Sequence, residues 1–119
     1  MIVDAVFAAA LALFQYTPDE GEHWASYAEM QAQLAAKGYI KGDCEDFAAW
    51  CVAELRKRGL LARYVVCDTE TGERHVVAET GGLVLDNRQV RVERADDLPY
   101  RWLAASGTEP GQAWRKVRF

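Results

Sequence analysis

The hydrophobic pattern changes period at Gly59, and this change limits the fold more than any other feature of the sequence. Before Gly59, apolar residues recur at helical spacing in three segments, residues 2–14, 24–37 and 44–57. After Gly59, β-branched and aromatic runs alternate with turn residues; they cover residues 62–67, 74–79 and 83–86, with a fourth candidate at 90–92. Helices followed by consecutive strands predict an α+β fold, in which N-terminal helices pack on a small antiparallel sheet.

A length of 119 residues and a net charge of −4 are typical of one acidic globular domain, here residues 1–119. The sequence has no basic run, so nucleic acid is not expected as a partner. The three cysteines are an odd number and form no CxxC pair, which indicates a reducing compartment or free thiols and not a disulfide scaffold. Residues 2–14 contain Asp4, lack a preceding basic region and are too short for a membrane span. The expected location is therefore the cytoplasm, or the periplasm if a leader has been removed.

The sequence Gly-Asp-Cys-Glu-Asp at residues 42–46 predicts a loop that turns directly into a helix. Asp43 suits the N-cap position, and Asp46 follows three residues later, where its side chain can return to the cap. Cys44 is then at the first helical position, where the helix dipole favours a thiolate over a thiol. A thiolate is the form that nucleophilic cysteine chemistry requires.

The same cysteine has a simpler interpretation as a small buried residue. It begins a stripe of residues that share one helix face, namely Cys44, Ala48, Cys51 and Leu55. The nearby carboxylates of Asp43, Glu45 and Asp46 also disfavour a thiolate. A catalytic role therefore requires that a cation neutralise these carboxylates, that they point away from the sulfur atom, or that a nearby protonated histidine outweigh them.

His75 in the second predicted strand and Asp86 at the end of the third are the candidates to supply that group. A hairpin loop at residues 80–81 places His75 directly opposite Asp86, whereas a loop at 81–82 makes them diagonal neighbours on the same face. A three-residue loop would place them on opposite faces. With either two-residue loop, the shared face can meet the helix that carries Cys44. A nucleophile, a base and an orienting acid would then come together.

Taken together, these motifs resemble a known family. Residues 42–48 (GDCEDFA), 75–77 (HVV) and 84–87 (VLDN) are similar to the bacterial transglutaminase-like cysteine peptidases, in the transglutaminase-like branch of the papain-like superfamily. Upstream, Tyr16 and Trp24 fall where the family has a tyrosine and a tryptophan. Downstream, Trp102 and residues 106–114 resemble its closing motif.

The resemblance implies that Cys44 is the nucleophile, His75 the general base and acid, and Asp86 the residue that orients the histidine. It also implies an oxyanion hole formed by the Cys44 backbone N–H group and the Trp24 indole N–H group. The chain is shorter than the exported, adhesin-cleaving members of the family. It resembles a compact stand-alone core of the kind found in phage or prophage genomes.

Some members of the family depend on calcium. The resemblance therefore implies a Ca²⁺ site at Asp43, Glu45 and Asp46, because carboxylate oxygens suit this ion. Helix capping is the alternative role for the same carboxylates. The chemistry itself is expected to need no cofactor.

The predicted function is hydrolysis of an amide bond in a protein or peptide substrate, through an acyl-enzyme. The same chemistry allows acyl transfer to an amine, so hydrolase and transferase both remain open. The alternative is a catalytically silent binding or regulatory module, because a fold does not establish an activity. A metal site built from the three cysteines and His75 is disfavoured, since Cys51 and Cys67 lack the spacing of metal ligands.

Overall fold

The computed structural model describes residues 2–17 and 26–117. The helices are α1 (Ile2–Leu13), α2 (Tyr27–Lys37) and α3 (Cys44–Lys57). The strands are β1 (Phe14–Tyr16), β2 (Ile40–Gly42), β3 (Ala62–Asp68), β4 (Arg74–Thr80), β5 (Leu83–Leu85), β6 (Glu93–Arg94), β7 (Arg101–Ala105) and β8 (Arg115–Lys116). Helices that precede an antiparallel sheet confirm the predicted α+β fold.

Helix α2 begins and ends at residues whose chemistry suits helix caps, Ser26 and Gly38. The Ser26 hydroxyl accepts a 3.1 Å hydrogen bond from the backbone N–H of Glu29. Gly38 follows the last turn with a φ of 80°, a conformation that glycine adopts without steric cost. Trp24, which was predicted to begin this helix, lies outside the described residues.

Helix α1 buries only one side, although nearly all its residues are apolar. Its buried residues are Val3, Val6, Phe7 and Ala10. On the other side, Ile2 and Leu11 are 50% and 39% exposed. The helices form one layer over the sheet, so the outer side of α1 faces solvent.

The main sheet has six strands in the order β6-β5-β4-β3-β7-β8, all antiparallel. The three predicted strands are confirmed as β3, β4 and β5. The fourth candidate, residues 90–92, is wrong: Val90 is 85% exposed, and the strand begins only at Glu93. Strand β7 was not predicted, because its alanines lack the β-branched pattern that marks a strand.

Strands β1 and β2 form a separate parallel pair that the sequence did not predict. Phe14 pairs with Ile40 and Tyr16 with Gly42, and the Thr17 N–H donates to the Gly42 carbonyl at 2.9 Å. The sequence analysis assigned these two segments to a helix end and a loop. The pairing fixes the backbone at Gly42, just before the predicted N-cap residue Asp43.

The hairpin between β4 and β5 adopts one of the two predicted registers. Thr80 pairs with Leu83, which leaves Gly81 and Gly82 as the loop, with φ angles of 58° and 87°. Positive φ at both positions is what a tight hairpin turn of this type needs. His75 and Asp86 are therefore diagonal neighbours on one face of the sheet.

That face is not the one that α3 covers, contrary to the sequence analysis. The core cluster around α3 includes Ala62, Ala78 and Leu85, whereas Val77 and Val84 belong to a second cluster on the alternate positions. By the same alternation, His75 and Asp86 share the face of Val77 and Val84. The start of α3 must therefore meet them at the end of the sheet, not over its middle.

Within the described ranges, no helix combines the length and the hydrophobicity that crossing a bilayer requires.

Candidate active site

The start of α3 is stabilised by a reciprocal cap, as predicted. Asp43 Oδ1 accepts hydrogen bonds from the backbone N–H groups of Glu45 and Asp46, at 3.0 and 3.4 Å. In return, Asp46 Oδ2 accepts from the Asp43 N–H at 3.1 Å. Cys44 is consequently the first residue of α3, at the positive end of the helix dipole.

Gly42 is needed here for space and not for an unusual backbone angle. A Cβ atom at this position would lie 2.6 Å from both Cβ and Oδ2 of Asp46. Contacts that short essentially do not occur between real side chains, so any larger residue would displace Asp46 from the cap. Gly42 therefore leaves the space that the Asp46 side chain needs to cap the first turn of α3, where Cys44 lies.

His75 and Asp86 form a direct, buried hydrogen bond. The His75 Nε2 and Asp86 Oδ1 atoms are 2.6 Å apart, and the two residues are only 7% and 1% exposed. Asp86 Oδ1 also accepts the backbone N–H of Arg88 at 3.0 Å, and Oδ2 accepts the Tyr100 hydroxyl at 2.5 Å. Three donors from three parts of the chain thus hold this carboxylate.

The hydrogen bonds decide the ionisation of both groups. Burial tends to raise the pKa of Asp86, but the bonds from His75, Tyr100 and the Arg88 backbone outweigh it and lower the pKa. Burial likewise tends to lower the pKa of His75, yet its interactions with Asp86 and Cys44 raise it to about 9. A protonated His75 beside an ionised Asp86 is therefore the favoured state at neutral pH.

Cys44 lies at the other side of the imidazole. Its side chain is partly exposed and interacts with His75. Because Nε2 of His75 is bonded to Asp86, Nδ1 is the ring nitrogen left for the sulfur atom. The order Cys44, His75, Asp86 is the arrangement in which a base activates a thiol and a carboxylate orients the base.

The other two cysteines lie in different surroundings. Cys51 and Cys67 are fully buried. Burial raises the pKa of Cys51 far above its ordinary value. Burial, followed by the nearby charge of Asp86, raises the pKa of Cys67 to about 12. Cys67 is the cross-strand partner of His75, but its thiol stays protonated and closed to solvent. Of the three thiols, only Cys44 combines access with a histidine.

Tyr100 and Arg88 were not among the predicted site residues. Tyr100 immediately precedes the unpredicted strand β7. It is 14 positions from Asp86 along the chain, so no local spacing marks it. The available signal was the position of Arg88, two residues after Asp86, where its N–H can bond the carboxylate as in an Asx turn.

The predicted three-carboxylate metal site is not assembled. Across residues 2–17 and 26–117, no three His, Cys, Asp or Glu side chains are grouped as metal ligands would be. Asp43 and Asp46 are engaged in the cap instead, as the alternative interpretation expected. Trp24, the predicted second donor of the oxyanion hole, falls outside the described ranges, and its role stays a prediction.

Comparison with solved structures shows the same fold in proteins of low sequence identity. Calcium-bound LapG from Legionella pneumophila aligns with a TM-score of 0.76 at 18% identity, over 98% of this chain and 68% of LapG. For EGTA-treated LapG, the TM-score is 0.74 at 18% identity, over 98% of this chain and 66% of LapG. A candidate cysteine protease from Cytophaga hutchinsonii gives 0.51 at 18% identity, over 99% of this chain and 44% of that protein. This chain therefore spans only about two thirds of LapG.

Comparison with curated proteins gives no match. The family model described as "Bacterial transglutaminase-like cysteine proteinase BTLCP" matches residues 18–118. The matched segment contains the cap, His75 and Asp86, and it covers most of the chain. The resemblance seen in the motifs is thus confirmed, and the chain belongs to the bacterial transglutaminase-like cysteine proteinases.

Proposed function

We propose that this protein is a cysteine peptidase in which Cys44 is the nucleophile, His75 the general base and acid, and Asp86 the orienting carboxylate. One observation carries the proposal: His75 lies between Asp86 and the cysteine that begins α3, in a chain that belongs to a cysteine proteinase family. A histidine in this position can remove a proton from the thiol and later return it to a leaving group.

In the first step, the Cys44 thiolate attacks the carbonyl carbon of a peptide bond. The protonated His75 then donates its Nδ1 proton to the leaving amine as the carbon–nitrogen bond breaks. In the second step, neutral His75 takes a proton from water, and the resulting hydroxide attacks the thioester and releases the acid. Asp86 keeps Nε2–H pointing away from the sulfur atom in both steps.

The Cys44 backbone N–H is the proposed donor to the oxyanion. It belongs to the first turn of α3, whose N–H groups have no partner within the helix. Asp43 Oδ1 accepts hydrogen bonds from the backbone N–H groups of Glu45 and Asp46. The cap does not use the Cys44 N–H group, which can therefore donate to the negative charge that develops on the substrate carbonyl oxygen.

Calcium would act at the same end of α3, as a structural ion and not as a participant in the chemistry. LapG has been observed with calcium bound. In this chain the Asn87 side-chain oxygen Oδ1 is buried, with no hydrogen-bond partner among the described residues, and Asn87 lines one pocket with Asp43. Asp43 Oδ2, which the cap does not use, and Asn87 Oδ1 are the proposed ligands, because Ca²⁺ prefers such oxygen donors.

The calcium proposal is tested by thermal unfolding in Ca²⁺ and in EGTA. We expect Ca²⁺ to raise the unfolding midpoint of the wild-type protein and of Ser26→Ala, a cap variant at the distant helix α2. Asn87→Ala should not respond. An equal response in Asn87→Ala, or none in the wild type, would contradict this ligand set.

The catalytic proposal is tested by alkylation of the three cysteines at pH 7, followed by peptide mass spectrometry, and by cleavage of an unfolded protein substrate. Cys44 should be alkylated much faster than Cys51 and Cys67. His75→Ala should slow both the alkylation of Cys44 and the cleavage, the cleavage by roughly 10²- to 10⁴-fold.

The chain offers a matched control, because its second histidine is His23. His23→Ala should leave both rates unchanged, and Cys44→Ala should abolish cleavage. Rapid alkylation of Cys44 without any cleavage would favour the silent binding module. Alkylation of Cys44 that does not depend on His75 would refute the proposed chemistry.

A further inference from the structure

Tyr100 bonds the Asp86 carboxylate oxygen that His75 does not contact, and the mechanism above does not use this residue. The residue is 8% exposed, and its hydroxyl is 2.5 Å from Asp86 Oδ2. Its ring packs edge-on against His75, with centroids 6.0 Å apart, and against Trp102 at 5.5 Å. The side chain therefore contacts both members of the His75–Asp86 pair.

The hydrogen-bond partners of the Tyr100 hydroxyl determine which of them accepts its proton. Arg88 Nη1 donates to this oxygen at 2.9 Å, and Gln89 Nε2 donates to it at 3.1 Å. A guanidinium group can only donate, and an ionised carboxylate can only accept. The single hydroxyl proton must therefore point at Asp86. Burial and the bond to Asp86 also raise the pKa of Tyr100 to about 12, so the proton is retained at neutral pH.

The Arg88 guanidinium group is itself held by the carboxylate of Glu70. Its Nη2 and Nη1 atoms donate to the two carboxylate oxygens of Glu70, at 2.5 and 3.1 Å. This two-point contact fixes the plane of the guanidinium group. A continuous chain of hydrogen bonds thus runs from Glu70 through Arg88, Tyr100 and Asp86 to His75.

We propose that Tyr100 is a positioning residue of the active site: its hydroxyl, aimed by Arg88, holds the Asp86 carboxylate in the one rotation that keeps Nε2–H of His75 bonded and Nδ1 facing Cys44. The inference rests on the proposed function. Asp86 has a second oxygen that would otherwise be buried without a partner, and such a carboxylate gains by rotating toward another donor. If it rotates, the imidazole is free to take the other tautomer, with its proton on the nitrogen that faces the sulfur atom.

Tyr100 could instead act only through the packing of its ring. Tyr100→Phe distinguishes this packing role from the proposed positioning role of the hydroxyl. Phenylalanine keeps the ring that contacts His75 and Trp102, and it removes only the hydroxyl. Tyr27→Phe is the matched control, because the Tyr27 hydroxyl also donates to a glutamate carboxylate, Glu54, at 3.0 Å but belongs to α2, away from the site. Both variants lose one tyrosine–carboxylate hydrogen bond.

The experiment reads the His75 tautomer by ¹⁵N NMR of histidine-labelled protein at pH 10, above the His75 pKa of about 9, where most of the imidazole is neutral. It also measures the alkylation rate of Cys44 at pH 7. We expect wild type and Tyr27→Phe to show only the Nε2–H form. Tyr100→Phe should populate the Nδ1–H form and slow alkylation roughly tenfold, well short of the ~10⁴-fold effect that removal of an orienting carboxylate has on turnover. A pure Nε2–H form and a wild-type rate in folded Tyr100→Phe would overturn the proposal.

Arg88→Met decides the matter if Tyr100→Phe does not fold. It frees the Tyr100 hydroxyl to turn while leaving the Arg88 backbone N–H on Asp86, so the same two changes should appear to a smaller extent. An unaltered tautomer in Arg88→Met would then reject the proposal. The tautomer measurement does not depend on turnover, so its result stands even if alkylation of Cys44 proves independent of His75, which is the outcome that refutes the proposed function.

Discussion

Asp46 and Asp86 are both almost completely buried, at 4% and 1% exposure, but they are held in different ways. Asp46 accepts a hydrogen bond from the backbone of Asp43, three residues away, and completes a helix cap. Asp86 accepts from Arg88, His75 and Tyr100, which are two, eleven and fourteen positions away. A buried carboxylate with a local partner stabilises its own helix, whereas one with distant side-chain partners controls the protonation of another residue.

The largest effect expected from this comparison follows Asp86→Asn. The amide would let the wrong His75 tautomer form, so cleavage should fall by about 10³- to 10⁴-fold, with little loss of folded protein. Turnover and far-ultraviolet circular dichroism would measure the two effects. Asp46→Asn is the matched variant: an amide oxygen can still accept the Asp43 N–H, so most activity should remain. A comparable loss in Asp46→Asn would show that Asp46 does more than cap α3.

The pH dependence of stability should also separate the two carboxylates, because Asp86 is bonded directly to His75, whereas the cap bond of Asp46 is to a backbone N–H group. The pKa of His75 is about 9 in the folded protein and about 6.5 when unfolded. Its contribution is thus fully present below pH 6.5 and is lost as the pH rises through 9. The free energy of unfolding in urea should fall by at most about 3 kcal/mol across this range.

His75→Gln should flatten that pH profile, and Asp46→Asn should leave it intact. If the wild-type profile is already flat between pH 6.5 and 9, the His75–Asp86 pair is not ionised as described. The proposed difference between Asp86 and Asp46 would then be refuted.

Gly42→Ala tests whether Asp46 acts through the cap at the start of α3. The added Cβ atom would collide with Asp46 and open the cap, at a cost of about 1–3 kcal/mol in the free energy of unfolding. A double-mutant cycle with Asp46→Ala gives the control. Once Asp46 is truncated, the glycine substitution should cost clearly less. Additive costs would mean that the strain at Gly42 arises elsewhere.

The smallest expected effect is the loss of stability when the cap of α2 or of α3 is removed. Ser26→Ala removes the exposed cap of α2 and should cost about 1 kcal/mol without changing the alkylation rate of Cys44. Asp46→Ala should cost a similar amount but should slow alkylation as well, because it disturbs the first turn of the helix that carries Cys44. Thermal unfolding and alkylation of both variants would show whether a cap affects chemistry only where the nucleophile shares its turn.

Sequence reasoning succeeded where the decisive interactions are short in range. The caps at Ser26 and Asp43 involve residues within three positions, and their side-chain chemistry is enough to predict them. The same-face placement of His75 and Asp86 depended only on a two-residue hairpin loop, which Gly81 and Gly82 provide. The choice between the two registers required the structure, since both loops satisfy the same turn rules.

Sequence reasoning failed where the partner is distant. The parallel pairing of β1 with β2 joins segments about 26 residues apart, and neither has a strand pattern of its own. Tyr100 reaches Asp86 because the segment between β5 and β7, which includes β6, brings it back to the sheet. The prediction that α3 covers the face of His75 was wrong for a related reason, because alternation along a strand does not say which face a helix will choose.

The sequence by itself determined where α3 starts and that Cys44 is its first residue, and it favoured a two-residue hairpin loop that places His75 and Asp86 on one face of the sheet. Backbone hydrogen bonding and side-chain alternation impose these features within a few residues. Only the tertiary structure decided that the start of α3 meets that face at the end of the sheet, and that Tyr100 and Arg88 stand behind Asp86. Such contacts depend on how separate surfaces pack, and packing depends on the whole core at once.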